Sequence, residues 1–310
     1  RSTLFPYTTL FRSVKFPRFA VYNEMAARGY REVVSYAFVD EQWEHDFVAN
    51  ANPIRLQNPL AAQYAVMRST LIGGLVEILQ NNLNRKQNRV RVFEIARVFS
   101  KGSDGQFVQN ERIGGLWYGA AMPEQWGEKT RNADFYDIKA DVENLLKNKA
   151  VEFVKTEHPA LHPGRAANIV SDGQVIGFVG ELHPKWLQKY DLPQAPLVFE
   201  IDMAAVLEHE KTRYQAVSKF QPVRRDLAFV VPEAVSYDDL LKALLAVKSS
   251  LIQTVTLFDV YRGVGLPENM KSMAVKVILQ DAESTLTDDT VEAIVQKLIA
   301  AAETVGAQLR

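Results

Sequence analysis

The fold is decided by the stretch Leu257-Phe-Asp-Val-Tyr-Arg-Gly263, the turn after it, and Lys271-Ser-Met-Ala-Val-Lys-Val-Ile-Leu279. Apolar residues occupy every second position from Met273 to Leu279, which predicts a β-strand with one continuous apolar face. Gly263, Gly265 and Pro267 supply turn residues between the two stretches. The pattern therefore predicts a hairpin whose sheet is buried on one side and open on the other.

The open side of this hairpin carries polar groups of several kinds. Strict alternation on the first strand predicts that Phe258 and Val260 point one way, and that Leu257, Asp259 and Tyr261 point the other. The second strand adds Ser272, Ala274, Lys276 and Ile278 to the open side. An acid, a phenol, a hydroxyl and an amine at neighbouring positions suit a flat polar ligand such as single-stranded nucleic acid. The alternative is an ordinary solvated sheet face with one exposed tyrosine.

The elements around the hairpin follow the order β-α-β-β-α-β, which is typical of a ferredoxin-like domain. In such a domain both helices cover one face of the sheet. On the first strand this predicts that Leu227 and Phe229 face inward while Asp226, Ala228 and Val230 face outward. The predicted strands are 224–231, 251–261, 271–280 and 308–310, and the predicted helices are 237–246 and 287–305.

Residues 14–208 favour a second α+β domain, in which strands joined by short turns form a largely antiparallel sheet flanked by helices. Residues 32–39 are predicted to form one strand, and residues 89–100 another whose two faces are both mixed. The pair Gly73-Gly74 lies inside a predicted helix, where each glycine is unfavourable by roughly 1 kcal/mol. Close packing against a neighbour is therefore expected at these glycines.

Composition bounds the class of protein. The 310 residues are 47% hydrophobic and 24% charged, as in an ordinary globular chain of two domains. The formal net charge is -1, so nucleic-acid binding must be local or shared with other chains. Cysteine is absent from the sequence, which excludes disulfides and is consistent with a cytoplasmic location. No stretch has the length of a membrane span.

Two short segments are set apart from the folded domains. Residues 1–13 repeat Thr-Leu-Phe and Arg-Ser without any helical period, and they are interpreted as an artefactual or disordered tail. Residues 209–216 are polar and are predicted to be a linker. The first residue is not methionine, and a fragment of a longer protein is expected.

The His-Pro sites in Leu161-His-Pro-Gly-Arg165 and Leu182-His-Pro184 are candidate catalytic or metal-binding positions. A metal site needs a third ligand at usable spacing, and none is evident. Structural turns are favoured for both. A metabolic enzyme that uses His162 or His183 stays open as a further hypothesis.

A series of short motifs follows a fixed order along the chain: Asn58-Pro-Leu, Met67-Arg-Ser-Thr-Leu, Asn81 with Arg85, Val92-Phe-Glu-Ile-Ala-Arg-Val98, Leu161-His-Pro-Gly-Arg165, Gly177-Phe-Val-Gly-Glu-Leu-His-Pro184, Arg224-Arg-Asp226, Phe258-Asp-Val-Tyr-Arg-Gly263, Lys271-Ser272 and Thr285-Leu286. In this order they resemble the motifs of the bacterial phenylalanyl-tRNA synthetase beta subunit, in its C-terminal part. The resemblance covers essentially everything from Val14 to Arg310.

For residues 14–208 the resemblance implies a class II synthetase-like module that is not catalytic. In the family this module packs against the alpha subunit within an (αβ)2 heterotetramer, and ATP and Mg2+ serve the whole enzyme. The sequence here lacks a GxGxxR motif to hold ATP, and no cofactor, catalytic residue or metal ligand is assigned to it. The helix around Gly74 and the strand around Phe93 are hypothesised to be subunit-interface elements.

For residues 217–310 the resemblance implies an anticodon-binding domain that meets tRNA-Phe on the open face of its sheet. The positions that match the family are Ala228, Asp259, Tyr261 and Ser272. Candidate phosphate contacts are Arg224, Arg225, Arg262 and Lys276. Residues 217–310 contain ten Lys and Arg against twelve Asp and Glu, a net charge of -2, so weak binding by this domain alone is expected.

The resemblance thus implies a fragment of a phenylalanine–tRNA ligase that supplies a scaffold and anticodon recognition, while the alpha subunit carries the chemistry. A stand-alone ferredoxin-like module that binds RNA or an amino acid is the alternative. Such regulatory modules usually bind amino acids at helix or domain interfaces, and not on an open sheet face that carries Tyr261.

Overall fold

The computed structural model describes residues 17–102, 104–147, 149–208 and 217–310. The chain divides into two compact units, Arg1–Lys211 and Thr212–Arg310. The expected tail at residues 1–13 and the predicted linker at residues 209–216 lie outside the described residues.

The first unit combines helices with strands that range from two to twelve residues. Its helices are α1 (Pro17–Ala27), α2 (Glu41–Val48), α3 (Ile72–Asn84), α4 (Phe135–Leu145), α5 (Pro184–Lys189) and α6 (Met203–Leu207). Its strands are β1 (Arg31–Glu32), β2 (Phe38–Val39), β3 (Val66–Met67), β4 (Val90–Lys101), β5 (Phe107–Tyr118), β6 (Glu152–Lys155), β7 (Leu161–Ser171), β8 (Gln174–Leu182) and β9 (Leu197–Asp202).

A seven-stranded sheet with the order β1-β4-β5-β9-β8-β7-β6 organises this unit. Its neighbouring strands are antiparallel apart from β1, which runs parallel to β4. Both faces of the sheet carry an apolar core. On β4, Phe93 and Ile95 belong to one core, while Val92 and Val98 belong to the other. The mixed faces predicted for this strand arise because both of its sides are covered.

The single strand predicted at residues 32–39 is wrong in its middle part. Only Arg31–Glu32 pairs with β4, and Phe38–Val39 pairs with β3 instead. Between them the buried Glu94 carboxylate takes the place of a neighbouring strand. It accepts hydrogen bonds from the Ser35 backbone N–H (3.1 Å) and the Ser35 hydroxyl (2.7 Å), and it pairs with Arg68 (3.1 Å).

The close packing predicted at Gly73-Gly74 is confirmed, but its partners lie within the same unit. A Cβ atom at Gly73 would lie 2.4 Å from the Trp43 ring, and one at Gly74 would lie 2.5 Å from the Ser35 hydroxyl oxygen. Phe93 is likewise buried in the unit's own core. Gly74 and Phe93 are therefore covered by neighbours in this chain. The hypothesis that the helix around Gly74 and the strand around Phe93 are subunit-interface elements stays a prediction.

The second unit has the predicted β-α-β-β-α-β order. It consists of β10 (Val223–Pro232), α7 (Tyr237–Leu245), β11 (Ile252–Tyr261), β12 (Met270–Leu279), α8 (Asp288–Glu303) and β13 (Gln308–Leu309). The sheet order is β11-β12-β10-β13, and its neighbouring strands are antiparallel. Ser236 and Thr287 cap the helices, and Asp238, Asp239, Asp288 and Asp289 lie in their first turns, where the helix dipole favours acidic side chains.

The apolar core of this unit lies on one side of the sheet, between the sheet and its helices. Leu227 and Phe229 from β10 pack there, as do the alternate residues Met273, Val275, Val277 and Leu279 of β12. These residues alternate with Ala228, Ala274 and Lys276, which lie on the other side. The α+β ferredoxin-like architecture predicted for this part is confirmed, and it leaves one sheet face for a ligand.

Candidate nucleic-acid interface

The strand register brings the predicted anticodon contacts together in two adjacent rows on the open face. Ala228 pairs with Ala274, which pairs with Asp259. In the next row Ser272 pairs with Tyr261. Directly paired residues point to the same side of a sheet, and successive rows on one face are about 7 Å apart. The four predicted positions therefore form one compact surface, named here the open-face site.

A β-bulge in β11 changes the face assignment that strict alternation gave for Leu257. Leu257 pairs with Val275, but Asp259 pairs with Ala274, so Phe258 is an extra residue. Leu257 consequently packs against the core, while Asp259 and Tyr261 stay on the open side. The prediction that Leu257 shares a face with Asp259 was wrong because alternation alone cannot reveal a bulge.

Tyr261 is held over the hairpin turn with part of its ring accessible. Its hydroxyl donates to the Val264 carbonyl oxygen at 3.1 Å, and its side chain stays 40% exposed. A Cβ atom at Gly263 would lie 2.8 Å from the Tyr261 hydroxyl oxygen, so a larger residue there would require the Tyr261 ring to shift. The ring is thereby positioned before any ligand arrives.

The remaining predicted contacts differ in how accessible they are. Asp259 is exposed, and within the described ranges its carboxylate has no hydrogen bond or ion pair. Ser272, in contrast, is only 4% exposed although it belongs to the open side. Its hydroxyl therefore contributes to the floor of the site and is a poor candidate for direct contact with a base.

The candidate phosphate contacts are spread over both sides of the sheet. Arg224 makes two bonds of 2.8 Å to Asp226, and this pairing holds the pKa of the Asp226 carboxyl below its ordinary value. Arg262 bonds Glu233 at 2.7 Å and lowers the pKa of that carboxyl in the same way. Lys276 lies on the open side opposite Asp226.

Arg225 lies on the other side of β10 from the open-face site. It pairs with Val277, whose side chain is in the core, and its guanidinium lies 3.8 Å from the Asp288 carboxylate at the start of α8. The Arg225 side chain therefore does not face a ligand on the open face. Arg224 and Arg225, which were grouped from the sequence, lie on opposite sides of the strand.

Two residues of this surface were missed by the sequence reasoning. The Arg310 backbone N–H donates to the Ala228 carbonyl oxygen, which continues the register of β13 and places Arg310 beside Ala228. Its guanidinium lies 5.8 Å from the centre of the Tyr261 ring. Phe258 is 52% exposed, with the Arg224 guanidinium 5.9 Å from its ring. The register of the last strand would have indicated Arg310, whereas nothing in the sequence signals the bulge.

Three histidines of the first unit act as turn residues, as favoured from the sequence for His162 and His183. The Nδ1 atoms of His158, His162 and His183 each accept the backbone N–H of the residue two positions later, at 3.0 to 3.2 Å. His183 thereby caps α5. Across the part of the chain that the structure describes, no group of three or more His, Asp or Glu side chains is placed to hold a metal ion. No described helix is long and apolar enough to cross a membrane.

Comparison with known proteins gives the class to which this fold and site belong. Residues 14–203 match the family model described as phenylalanyl tRNA synthetase beta chain CLM domain. Residues 218–310 match the family model described as ferredoxin-fold anticodon binding domain. The two models occur in the order of the two units and together cover most of the chain.

Similar proteins of known identity indicate the family within this class. The phenylalanine–tRNA ligase beta subunit of Neisseria meningitidis serogroup B is 85% identical over 294 residues, which are 95% of this chain and 37% of that protein. The beta subunit of Chromobacterium violaceum is 54% identical over 92% of this chain and 36% of that protein. A pyrrolysyl tRNA synthetase structure from Desulfitobacterium hafniense aligns with a TM-score of 0.46 and 12% identity, over 65% of this chain and 70% of that one. This chain belongs to the phenylalanyl-tRNA synthetase beta chain family, and it spans a little over a third of the length of the two beta subunits.

Proposed function

We propose that the second unit of this chain reads the anticodon of tRNA-Phe on its open-face site. The observation that carries the proposal is the register that gathers Ala228, Asp259, Tyr261 and Ser272 into two neighbouring rows beside Arg310. An accessible aromatic ring, an exposed carboxylate and small residues between them match what a single-stranded base requires of a protein surface.

Each group has a distinct part in this proposal. The Tyr261 ring stacks on a base, a contact worth about 1–3 kcal/mol. The Asp259 carboxylate accepts hydrogen bonds from the Watson–Crick edge of a guanine, which presents N–H donors. Ala228 and Ala274 leave room for the base to approach the sheet. Ser272, which is nearly fully buried, forms part of the floor of the site.

The charges around the site act on the phosphates. Arg310 and Lys276 lie on the open side, and Arg224 and Arg262 flank it while paired with carboxylates. Arg225 is left out of the proposed contacts because it lies on the other side of the strand. The net charge of -2 over residues 217–310 makes weak binding by this unit the expected result.

The role proposed for the whole protein follows its relatives. We propose that the chain is part of the beta subunit of a cytoplasmic phenylalanine–tRNA ligase, which joins phenylalanine to tRNA-Phe with ATP and Mg2+. Its first unit is proposed to serve as a scaffold for an alpha subunit, in an (αβ)2 assembly that carries the catalysis. The described residues offer no donor set suited to Mg2+, so no metal or nucleotide contact is assigned to this chain.

The proposal is tested by measuring tRNA binding to the 310-residue chain. We expect Tyr261→Leu to weaken binding of tRNA-Phe by about 5- to 150-fold, the equivalent of the stacking energy. Tyr136→Leu is the matched control, because Tyr136 is 75% exposed on a helix of the first unit. A tRNA-Phe with an exchanged anticodon is the second probe.

The outcomes distinguish recognition of the anticodon from electrostatic attraction to any tRNA. Loss of binding with both Tyr261→Leu and the exchanged anticodon, but not with Tyr136→Leu, supports the assignment. Equal affinity for both tRNAs in the unmodified chain would show that the open face does not read the anticodon.

A further inference from the structure

A pocket in the first unit is lined by aromatic rings and carboxylates, and the proposed tRNA contacts make no use of it. Tyr36 stacks on Phe38 with ring centres 5.3 Å apart, and Tyr64 lies 5.4 Å from the first ring and 5.8 Å from the second. These rings border a space of about 480 Å³ that opens to solvent. Its other lining residues include Trp43, Asp40 and Glu77. These six residues define the aromatic pocket.

The glycine pair of α3 builds the floor of this pocket. Gly73 allows the Trp43 ring to lie against the helix, and Gly74 allows the segment that carries Ser35 and Tyr36 to do the same. Glu77 lies three to four residues further along α3 and therefore on the same face of the helix. The local sequence thus brings aromatic rings and an acidic side chain to one place.

The charge of the pocket is negative at its opening. Glu77 is exposed, and among the residues that the structure describes its carboxylate has no hydrogen bond or ion pair. Asp40 uses one carboxylate oxygen to cap α2 through the Gln42 backbone N–H at 2.8 Å. Both acids remain next to the rings of the aromatic pocket.

The cations near the pocket are already paired with other acids. Arg68 reaches the Ser35 hydroxyl from below at 2.8 Å, but it is buried and paired with Glu94. Arg55 is paired with Glu41, the first residue of α2. Neither supplies a positive charge to Glu77.

We infer that the aromatic pocket takes an arginine side chain from a partner polypeptide. Aromatic faces attract cations, and guanidinium groups make such contacts more often than ammonium groups do. The neighbouring carboxylates add charge complementarity and can accept the N–H groups of the same guanidinium. An uncharged apolar side chain would leave Glu77 and Asp40 without this interaction. The inference does not depend on the proposed tRNA binding, because the pocket belongs to the other unit.

The test titrates the full 310-residue chain with N-acetyl-arginine N-methylamide and follows binding by saturation-transfer NMR. The matched neutral probe is the citrulline analogue, which keeps the shape of arginine without its charge. We expect Tyr36→Leu and Glu77→Gln each to weaken binding of the arginine probe by about 2- to 30-fold. Tyr136→Leu serves as the control for loss of an exposed tyrosine. Circular dichroism verifies that each variant is folded.

The results decide the inference in either direction. Preference for the arginine probe over the citrulline probe, reduced by both pocket variants and unchanged by Tyr136→Leu, supports it. Equal binding of the two probes, tighter binding of the corresponding lysine derivative, or no binding of the arginine probe at about 20 mM would overturn it.

Discussion

At the scale of single residues, His158 shows how burial keeps a titratable group neutral. Its ring lies against Phe178 with centres 4.3 Å apart, and its Nδ1 atom accepts the Ala160 backbone N–H at 3.2 Å. Burial, aided by the positive charge of Arg112, lowers the pKa of His158 from 6.5 to about 4. The neutral imidazole is the form that this packed turn accommodates.

This shift predicts that His158 makes the folded state less stable as the pH falls. Between about pH 6.5 and pH 4 the unfolded chain binds a proton that the folded chain does not, so the free energy of unfolding decreases through this window and levels off below it. At pH 5 the expected loss relative to pH 7 is about 2 kcal/mol. His158→Asn should reduce this pH dependence, because asparagine can still accept the Ala160 N–H without titrating. Urea unfolding of both forms at pH 7 and pH 5 measures it, and equal pH dependence would contradict the assignment.

At the scale of elements, the bulge in β11 predicts which deletions the second unit tolerates. Removing Phe258 joins Leu257, which faces the core, to Asp259, which faces outward, and regular alternation is restored without moving either side chain. We expect the variant to fold and to keep its open-face site. Removing Thr256 instead makes Val255 and Leu257, which both pack against the core, adjacent in the strand, so one of them must leave it. Both are partly buried, so the expected cost is below the ~1.5–3 kcal/mol of a fully buried apolar side chain.

Denaturant unfolding and tRNA binding distinguish these deletions. The Phe258 deletion should unfold cooperatively and bind tRNA-Phe about as the unmodified chain does, whereas the Thr256 deletion should be clearly less stable. The register assignment fails if the two deletions destabilise the unit equally.

The sequence predicted a structural feature correctly where the residues that determine it lie close together in the chain. The alternation from Met273 to Leu279 and the pair Gly73-Gly74 each depended on neighbours close in the chain, and both predictions were confirmed. The prediction of a continuous strand between Glu32 and Phe38 was wrong because the hydrogen-bond partner of this segment is the buried Glu94 carboxylate, which is remote in sequence. The accessibility of Ser272 and the face of Leu257 likewise depend on tertiary contacts and register.

At the scale of the whole molecule, the distribution of charge matters more for the proposed function than the total. The chain has a formal net charge of -1. In the second unit, four acids lie at the helix starts. The open side of the sheet carries Arg224, Lys276 and Arg310 together with Asp226 and Asp259. A local attraction for phosphates is therefore compatible with an acidic total.

The salt dependence of tRNA binding tests this distribution. Each phosphate neutralised on a single strand contributes about -0.7 to the slope of log K against log salt concentration. Arg310→Gln should make the slope shallower by about this amount, because Arg310 lies beside the open-face site. Arg225→Gln, on the other side of β10, is the control and should leave the slope unchanged. Equal effects of the two substitutions on the slope would contradict the proposal that the phosphates are bound on the open face of the sheet.

The irregular pairing of β11 also bears on how copies of this chain behave toward one another. β11 lies at one border of its sheet, so one side of its backbone has no strand neighbour among the residues that the structure describes. A long regular border strand is a template for intermolecular pairing and aggregation. Register shifts at Gln253 and Phe258 interrupt this template twice within ten residues. The same irregularity that hides the face of Leu257 from sequence reasoning is thus expected to disfavour strand pairing between copies of this chain.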